Sequence, residues 1–228
     1  MSRSNVPPNS ANRFNSAVGS APVGVVPFTI CCWFNIVDFS VTQTLVNLRL
    51  NTEVSNHRWQ LLITTGLKLQ AVTKDTGASS AETINSATSG SWVFATGIWA
   101  ENNNRISILD GDWTNRGVNI LLRTPVGVNQ LQVGIRGLTN NSLRGRIARI
   151  AIYKSALTQA QVEFLATGAS YRRVQLDNLV YDDRFRMGDA NGDQNSDRAG
   201  GLTLAEDGTM GNDSINPPFA PLKSPLIL

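Results

Sequence analysis

Several residue types are scarce in this 228-residue sequence, and each shortage argues against a class of protein. There are two cysteines, Cys31 and Cys32, and they are adjacent. A disulfide between neighbouring residues is strained, so neither a structural disulfide nor an oxidising compartment is indicated. The single histidine, His57, has no cysteine near it and no Ser–Asp arrangement that would indicate a catalytic triad. We interpret it as a surface residue at a strand end.

Glutamate is also scarce, and the carboxylates are not paired. Glycoside hydrolysis needs two carboxylates within a few ångströms of each other. The glutamates are widely separated in the sequence: Glu53, Glu82, Glu101, Glu163 and Glu206. Asp110 and Asp112 flank a predicted turn rather than sharing a cleft. Neither a glycine-rich phosphate loop nor zinc-ligand spacing is present. We therefore expect a protein that is not an enzyme and that requires no cofactor.

Long hydrophobic runs are absent. A membrane-spanning helix needs about 18 or more consecutive apolar residues, and no stretch approaches that length. The opening residues 1–8 lack the apolar core of a signal peptide. The sequence therefore predicts a soluble protein made in the cytoplasm, with no membrane partner.

Charge is low and is not concentrated. Charged residues make up 16% of the chain, the net charge is +3, and most of the 20 basic residues are arginine. They are scattered, whereas nucleic-acid binding calls for a basic stripe, so no nucleic-acid partner is expected. Arg144 and Arg146 share one face of a predicted strand, and Arg149 points to the other. Because arginine is favoured at protein interfaces, Arg144 and Arg146 are interface candidates; a solvated face is the alternative.

What the sequence does contain is a succession of strand patterns. Residues 28–36 and 92–99 are apolar on both faces, as is typical of the central strands of a sandwich. Asp110-Gly111 is a strong hairpin signal because a type I′ turn needs positive φ at both central residues. Further strands are predicted at residues 44–50, 58–64, 67–73, 105–109, 113–120, 131–135 and 144–153, with edge strands around residues 13–14 and 23–26.

One short helix follows the last of these strands. Thr158 is a good N-cap residue, Leu157 can act as a hydrophobic staple, and Gly168 lies where a C-terminal glycine belongs. Val162 and Leu165 fall on one helical face. The whole pattern predicts an all-β antiparallel β-sandwich with one short helix and extended terminal arms.

The predicted organisation has three parts. Residues 1–27 form an N-terminal arm and edge strand, residues 28–170 the sandwich, and residues 171–228 a C-terminal hairpin and proline-rich arm. The chain ends in apolar residues that are costly to leave in water. We expect these to pack on this sandwich or on a neighbouring subunit, which makes them interface candidates: Phe219, Leu226, Ile227 and Leu228.

Four segments, in order, carry a family resemblance. Residues 28–34, FTICCWF, resemble the early strand of laminin-G/concanavalin A-like (pentraxin-like) domains. Residues 90–95 resemble that family's G-x-W strand, residues 106–111 its strand into an Asp-Gly turn, and residues 143–158 its final strand leading to a helix. The resemblance covers about residues 14–170 and implies a concanavalin A-like jelly roll.

The C-terminal part is similar to the opening hairpin of many such domains. Residues 181–209 have two short apolar pieces around a loop of Asp and Asn, which suggests a permuted first hairpin that completes this sandwich or a neighbour's. Long virion proteins of tailed phages string such domains together, and the chain resembles that setting. The resemblance implies a virion location, with other virion proteins and copies of the chain as partners.

The side-chain chemistry of the sequence offers two candidate binding sites, one for calcium and one for a sugar. Asp189, Asn191, Asp193 and Asp197 place oxygen ligands as in the start of an EF-hand-type calcium loop, although Gln194 and Gly200 depart from that pattern. A turn-forming loop is the alternative. Lectins stack an aromatic ring on a sugar, for which Trp59 and Trp113 are candidates, with core or interface packing as the alternative. We expect Trp33, Trp92 and Trp99 to be core residues.

Two functional hypotheses follow. The first is a non-enzymatic structural or adhesive subunit of a phage particle, in capsid decoration or associated with the tail, that binds neighbouring subunits through its arms. The alternative is a lectin-like module that binds host-surface polysaccharide. Calcium is the one ion for which the sequence offers a candidate loop.

Overall fold

The computed structural model describes residues 2–4, 13–51, 57–135, 141–183, 204–207 and 211–213. They form two antiparallel sheets with strands numbered in chain order. Sheet A contains β1 Ser2–Ser4, β3 Phe28–Ile36, β8 Val93–Glu101, β9 Asn104–Leu109, β10 Gly117–Asn119, β12 Gly145–Tyr153, β13 Leu179–Asp183 and β15 Gly211–Asp213. Sheet B contains β2 Arg13–Ser16, β4 Gln43–Arg49, β5 Arg58–Ile63, β6 Leu69–Lys74, β7 Ala78–Glu82, β11 Gln130–Val133 and β14 Leu204–Asp207.

The strand order places the apolar strands at the centre of each sheet. Sheet A runs β10-β9-β8-β3-β12-β1-β15, with β13 also paired to β12, and sheet B runs β14-β2-β11-β4-β5-β6-β7. Strand β3 is buried over its whole length because both of its faces are covered. The predicted all-β antiparallel sandwich is confirmed.

Buried side chains form two apolar clusters, one on each face of sheet A. The larger cluster lies between the sheets and includes Phe28, Cys32 and Trp59; the smaller covers the outer face of sheet A and includes Cys31 and Trp33. The adjacent cysteines thus point to opposite sides as free thiols. Burial raises the pKa of Cys31 to about 12 and that of Cys32 well above its usual value, so both thiols stay protonated and inert.

Helix α1, Gln159–Ala166, covers the outer face of sheet A. The Thr158 amide donates to Gln161 Oε1 (2.9 Å), and the chain leaves the helix through Gly168 at φ 85°. Val162 and Leu165 are fully buried against the sheet. The helix therefore lies where the sequence predicts it. No helix in the described part of the chain is long and apolar enough to span a membrane.

Two strand predictions are wrong at the local level. Residues 23–26 form bends rather than an edge strand, although Val23 is buried against the core. Of the strand predicted at 113–120, only β10 (Gly117–Asn119) forms, because Trp113–Asn115 form a 3₁₀ helix instead. Asp112 caps this helix: its Oδ1 accepts from the Thr114 amide (2.9 Å) and hydroxyl (2.6 Å).

The C-terminal strands pair with strands of the same chain. β13 pairs with β12 in sheet A, β14 with β2 in sheet B, and β15 with β1 in sheet A. The predicted C-terminal hairpin depends on apolar pieces at residues 185–187 and 200–204, which lie outside the described residues except for Leu204, so it stays a prediction. The predicted domain boundaries stay a prediction.

Candidate glycan-binding face

The outer face of sheet B carries side-chain amides in cross-strand register. Asn15 lies opposite Gln132, Gln132 opposite Asn47, and Asn47 opposite Gln60. Side chains alternate along a strand, and the sequence neighbours of these residues, such as Leu48 and Trp59, belong to the core between the sheets. The amides therefore lie on the opposite face, and we call Asn15, Gln132, Asn47 and Gln60 the amide row.

Hydrogen bonds fix the orientation of the amide row. Gln132 Nε2 donates to Asn15 Oδ1 (3.0 Å), and Asn47 Nδ2 donates to Gln132 Oε1 (3.1 Å). Gln60 Nε2 donates to Thr44 Oγ1 (2.6 Å). Asn47 is fully buried, yet its Oδ1 accepts no hydrogen bond. A buried polar atom without a partner is uncommon, and Asn47 does not line the recess on this face.

A second register row on the same face is basic. Arg49 lies opposite Arg58, and Arg58 lies opposite Lys74, on three consecutive strands. We call Arg49, Arg58 and Lys74 the basic row. The two rows are connected, since Arg58 Nε donates to Gln60 Oε1 (3.2 Å) and Arg49 Nη1 lies 3.5 Å from Gln132 Oε1. Both guanidinium side chains are buried.

A recess of about 410 Å³ lies on this face over β5, β6 and β7. Its lining combines a guanidinium, amides and hydroxyls with aliphatic side chains: Arg58, Gln60, Leu62, Gln70, Val72, Ala78, Ser79, Ser80, Asn119 and Leu121. The recess is open to solvent, and its volume falls within the range of small-molecule sites.

One wall of the recess is held by Arg105, which is fully buried. Its guanidinium donates to Leu121 O (2.6 Å), Asn102 O (3.0 Å) and Asn119 Oδ1 (3.2 Å), and also to Ser79 Oγ. Burial lowers the pKa of Arg105 to about 10, below its usual range. The side chain thus fastens the segment at 119–121 beside the edge strand β7, which gives the recess a fixed side.

The next part of the wall is held by Asp75. Its Oδ1 accepts from the Gly77 amide (2.9 Å), its Oδ2 accepts from the Thr124 amide (3.1 Å), and Arg123 Nη1 lies 3.5 Å from Oδ1. The Gly77 amide is the main cause of the lowered pKa of this carboxyl. His57, predicted to be a surface residue at a strand end, directly precedes β5 and is half-buried; it accepts from the Val126 amide through Nδ1 (3.3 Å). The irregular segment after β10 is therefore anchored by side chains.

The structure corrects the expectation that Trp59 stacks on a sugar. Trp59 is 2% exposed and lies between the sheets, with Phe28 edge-on to it at 5.2 Å between ring centroids. Phe28 in turn stacks on Trp99 at 4.8 Å. Because Trp59 alternates with Arg58 and Gln60, which face outward, its ring must face the core. The aromatic residues in the strands of sheet B, Phe14 and Trp59, both face inward.

Trp113 lies elsewhere, at the edge of the smaller apolar cluster on sheet A. Its ring is half-buried, with the guanidinium of Arg116 5.8 Å from its centroid. A sugar contact at Trp113 stays a prediction. Trp33 and Trp99 are buried as expected, and Trp92 is half-buried.

The candidate calcium ligands and the C-terminal interface candidates fall on residues that the structure does not describe. Asp189, Asn191, Asp193 and Asp197 lie outside the described residues, as do Phe219, Leu226, Ile227 and Leu228. Arg144 Nη1 donates to Asp38 Oδ2 (2.9 Å) and to Ser40 Oγ (2.8 Å), so it holds a loop; Arg146 is half-buried. Their use at an interface stays a prediction.

Carboxylates do not cluster in the described residues: no group of three or more His, Cys, Asp or Glu side chains could hold a metal ion there. Asp110 is accounted for by the turn, where its Oδ1 accepts from the Phe94 amide (2.8 Å). Its backbone has φ 51° and that of Gly111 φ 73°, which confirms the predicted turn geometry. Burial raises the pKa of Asp110.

Sequence reasoning missed the amide row and the basic row. Both follow from alternation that is visible in the sequence: Asn47 and Arg49, Arg58 and Gln60, and Gln130 and Gln132 are polar residues two apart that flank apolar ones. What the sequence does not contain is the pairing of strands that are distant in the chain, such as β11 with β4 and β2. That register turns separate pairs into a continuous polar face.

The two-sheet antiparallel sandwich defines a lectin-like fold. The chain belongs to the concanavalin A-like lectin/glucanases superfamily, since that family's model, of the laminin G type, matches residues 11–163. A search of curated proteins found no matching sequence.

Solved structures support the same fold. The chain is similar to the CBM40 of a Ruminococcus gnavus IT-sialidase bound to α2,3-sialyllactose, with 13% identity, TM-score 0.55, and 63% of this chain and 84% of that chain covered. It is similar to a putative carbohydrate-binding protein from Bacteroides ovatus, with 12% identity, TM-score 0.58, and 89% of this chain and 58% of that chain covered. It is also similar to domain 4 of a Geobacillus stearothermophilus arabinanase in complex with arabinotriose, with 17% identity, TM-score 0.52, and 63% of this chain and 68% of that chain covered.

Proposed function

We propose that this chain is a non-catalytic, lectin-like module that binds a glycan on the outer face of sheet B. The observation that carries the proposal is the recess of about 410 Å³, which Gln60 of the amide row lines together with Gln70, Ser79 and Ser80. Asn47 and Gln132 of the amide row are buried beside it. An amide side chain offers both donors and acceptors. Sugar hydroxyls need both, so the amides that line the recess suit them.

The recess adds an apolar surface to this polar row. Leu62 and Val72 lie on adjacent strands in its lining, flanked by Gln60, Gln70 and Ser80. The C–H face of a pyranose ring can pack on Leu62 and Val72 while its hydroxyls bond to the surrounding amides and hydroxyl. This arrangement provides apolar contact without an aromatic platform.

The comparisons support a binding role over a structural one. Two of the similar structures are modules of glycoside-processing enzymes with a bound saccharide: sialyllactose in one and arabinotriose in the other. The scarcity of glutamate in this chain supports a role without catalysis, because glycoside hydrolysis needs a close carboxylate pair.

A glycan array followed by calorimetric titration of the best oligosaccharide tests the proposal. We expect Gln70→Ala to weaken binding and Ser80→Trp to abolish it, because both residues line the recess. Gln159→Ala, on exposed helix α1, is the matched control and should bind as the parent does. Trp113→Ala tests the other candidate site. Loss of binding only in Trp113→Ala, or no glycan bound at all, contradicts the proposal.

Assembly on a phage particle is a second proposal, and one observation favours an interaction surface. The segment around β10 exposes aliphatic side chains by half or more: Val118, Ile120, Leu121, Leu122 and Val126. Contiguous exposed apolar surface marks protein–protein contacts. If the chain self-associates through this segment, light scattering will show a smaller species for Ile120→Asp. Loss of particle attachment on deletion of residues 216–228 would support attachment through the C-terminal arm.

Calcium remains a proposal for the Asp/Asn loop. Oxygen ligands at alternate positions suit calcium. Addition of calcium should raise the Tm of the parent protein and not that of a variant with Asp193→Ala and Asp197→Ala; an unchanged parent Tm contradicts the site.

A further inference from the structure

We infer that the exposed aliphatic residues around β10 bind residues 216–228 of a second copy of this chain. This inference rests on the proposal that the segment around β10 is an interaction surface, and it names the partner. The surface consists of Val118, Ile120, Leu121 and Leu122, which are 52%, 73%, 51% and 63% exposed, and we call it the β10 patch. Exposed aliphatic side chains clustered in this way mark a contact surface.

Hydrogen bonds hold the backbone of the β10 patch in place. The Leu121 amide donates to Asn119 Oδ1 (2.9 Å), and the Leu121 carbonyl accepts from Arg105 (2.6 Å). The Arg123 amide, just after the patch, donates to Asn102 O (3.0 Å). The patch is thus already ordered, which lowers the entropy lost when a partner binds. Because these backbone groups are bonded, the patch offers a partner its side chains.

Residues 216–228, which lie outside the described residues, have a composition that suits such a surface. We call them the distal segment. Their single charge is Lys223, and their four prolines have no backbone N–H to donate. Proline also restricts the free chain, so less conformational freedom is lost on binding. The large apolar side chains available for contact are Phe219, Leu222, Leu226, Ile227 and Leu228.

The strand order separates the distal segment from the β10 patch of its own chain. β10 forms one edge of sheet A, and β15, which ends at Asp213, forms the other, six strand spacings away. The two edges are therefore roughly 29 Å apart. Phe219 comes six residues after Asp213, so its backbone can lie at most about 20–22 Å from that residue. A second copy with its β10 edge beside β15 brings the patch within reach of Phe219 as well as of residues 226–228.

A second β10 patch is the other apolar partner that the chain offers. Two patches packed on each other would leave the apolar residues of the distal segment in water. One contact between a distal segment and a patch covers both apolar surfaces, which is the more favourable arrangement. This contact joins two different surfaces, so each pair of copies keeps one free patch and one free distal segment. Association therefore continues beyond a dimer, into a ring or a filament.

Light scattering and sedimentation of full-length variants test the inference. Ile120→Asp with Leu122→Asp, the patch variant, places charge in the β10 patch. Leu226→Asp with Ile227→Asp, the distal variant, places charge in the distal segment. We expect the parent to form species larger than a dimer and both variants to be monomers. Leu176→Asp, at a leucine that is 57% exposed elsewhere on the surface, is the matched control and should assemble as the parent does.

Mixing the two variants distinguishes the possible contacts. The patch variant keeps an intact distal segment and the distal variant keeps an intact patch, so together they should form a heterodimer and nothing larger. If the distal variant alone assembles to the size of the parent, the patches bind each other; this overturns the inference and leaves the interaction surface standing. If the patch variant alone assembles to that size, the interaction surface itself is overturned.

A labelled peptide of residues 214–228 decides the outcome if the parent is a monomer. The peptide should bind the distal variant and should bind the patch variant at least about tenfold more weakly, because binding there buries a charge. A monomeric parent whose distal variant binds the peptide covers its own patch, and this overturns the inference. Failure of the peptide to bind the distal variant overturns it as well. If the patch variant does not fold, Leu122→Asp alone replaces it.

Discussion

Asp38 and Arg144 form an exposed ion pair that connects two loops of the sandwich. Asp38 Oδ1 accepts from the Ser40 amide (2.9 Å), and its Oδ2 accepts from Arg144 Nη1 (2.9 Å). The bonds from Ser40 and then from Arg144 lower the pKa of this carboxyl to about 2. The Arg144 backbone amide donates to Gln43 Oε1 (2.5 Å). Arg144 is thus bound at both its side chain and its backbone.

The stabilisation from Asp38 should depend on pH in a defined direction. Because the folded pKa is below the unfolded value, the contribution is present above about pH 4 and is lost as pH falls toward 2. We expect Asp38→Asn to lower the Tm slightly at pH 7, with the difference from the parent disappearing near pH 2. Thermal unfolding between pH 2 and pH 7 measures it, with Glu101→Gln, an exposed carboxylate, as the control. A difference that is constant across this range contradicts the assignment.

Single residues also show where sequence reasoning reached the structure and where it did not. Trp59 could have been assigned to the core from its polar neighbours Arg58 and Gln60, since alternation alone decides its side. Trp113 could not, because its position depends on the capping of a 3₁₀ helix by Asp112. The unsatisfied Oδ1 of Asn47 depends on which strands flank β4, and that is a tertiary property.

At the scale of elements, a β-bulge in β12 places the Arg149 side chain against the C-terminal end of helix α1. The register of β12 against β3 shifts between Ala148 and Ala151, and Arg149 there has φ 48°. Its guanidinium donates to Gly168 O (2.9 Å) and Ala169 O (2.8 Å) just after the helix, and it lies 5.0 Å from the centroid of the Tyr171 ring. The bulge thus aims a cation at the C-terminal end of α1, where it is favourable.

Removing this cation should loosen the helix from the sheet. A hydrogen bond to a charged group contributes about 1.5–3 kcal/mol, so we expect Arg149→Met to lower the free energy of unfolding by about 2–4 kcal/mol. Arg149→Lys should recover part of the loss, because one ammonium cannot serve both carbonyls equally. Urea unfolding measures both variants. Arg173→Met, at an exposed residue nearby, is the control, and an equal loss in it would contradict the special role of Arg149.

The approach of β10 to β7 requires glycine at position 117. A Cβ there would collide with the backbone carbonyl of Glu82, which cannot move aside as a side-chain tip could. We expect Gly117→Ala to lower the free energy of unfolding by about 1–3 kcal/mol. At Gly66, in the turn between β5 and β6, the nearest atom to an added Cβ is Thr64 Oγ1 at 3.7 Å, so Gly66→Ala should be within about 0.5 kcal/mol of the parent. Equal effects in urea unfolding would show that the contact is not required.

Elements were predictable from the sequence wherever burial imposes a pattern. The strands at 28–36 and 145–153 are apolar because they lie at the centre of sheet A, and the helix shows its caps and its buried face. The bends at 23–26 were mistaken for a strand because valines favour strands, although Val23 only fills the edge of the core. Local composition does not distinguish a packed bend from an edge strand.

At the scale of the whole molecule, the two sheets differ in what covers them. Sheet A is covered on its outer face by α1 and the 3₁₀ turns at 171–173 and 176–178, over an apolar cluster. The outer face of sheet B carries amides and cations. The two sheets thus differ in the chemistry of their outer faces, which is apolar and covered in sheet A and polar in sheet B. The resemblance to laminin-G-like domains predicted the sandwich, but the choice of face needed the strand register.

The C-terminal strands provide a test of whether the terminal segments belong to this sandwich. Strand β14 pairs with β2 over Leu204–Asp207, and β15 pairs with β1. A chain ending at residue 213 keeps both pairings, whereas one ending at residue 183 loses both and leaves an edge of β2 unpaired. We expect the shorter chain to have a Tm lower by about 5 °C or more, since 1 kcal/mol corresponds to about 2–4 °C at this size, and to associate through the unpaired edge. Calorimetry and light scattering of the two truncated chains measure this difference. Equal Tm values and equal masses would mean that these strands act between subunits rather than within one.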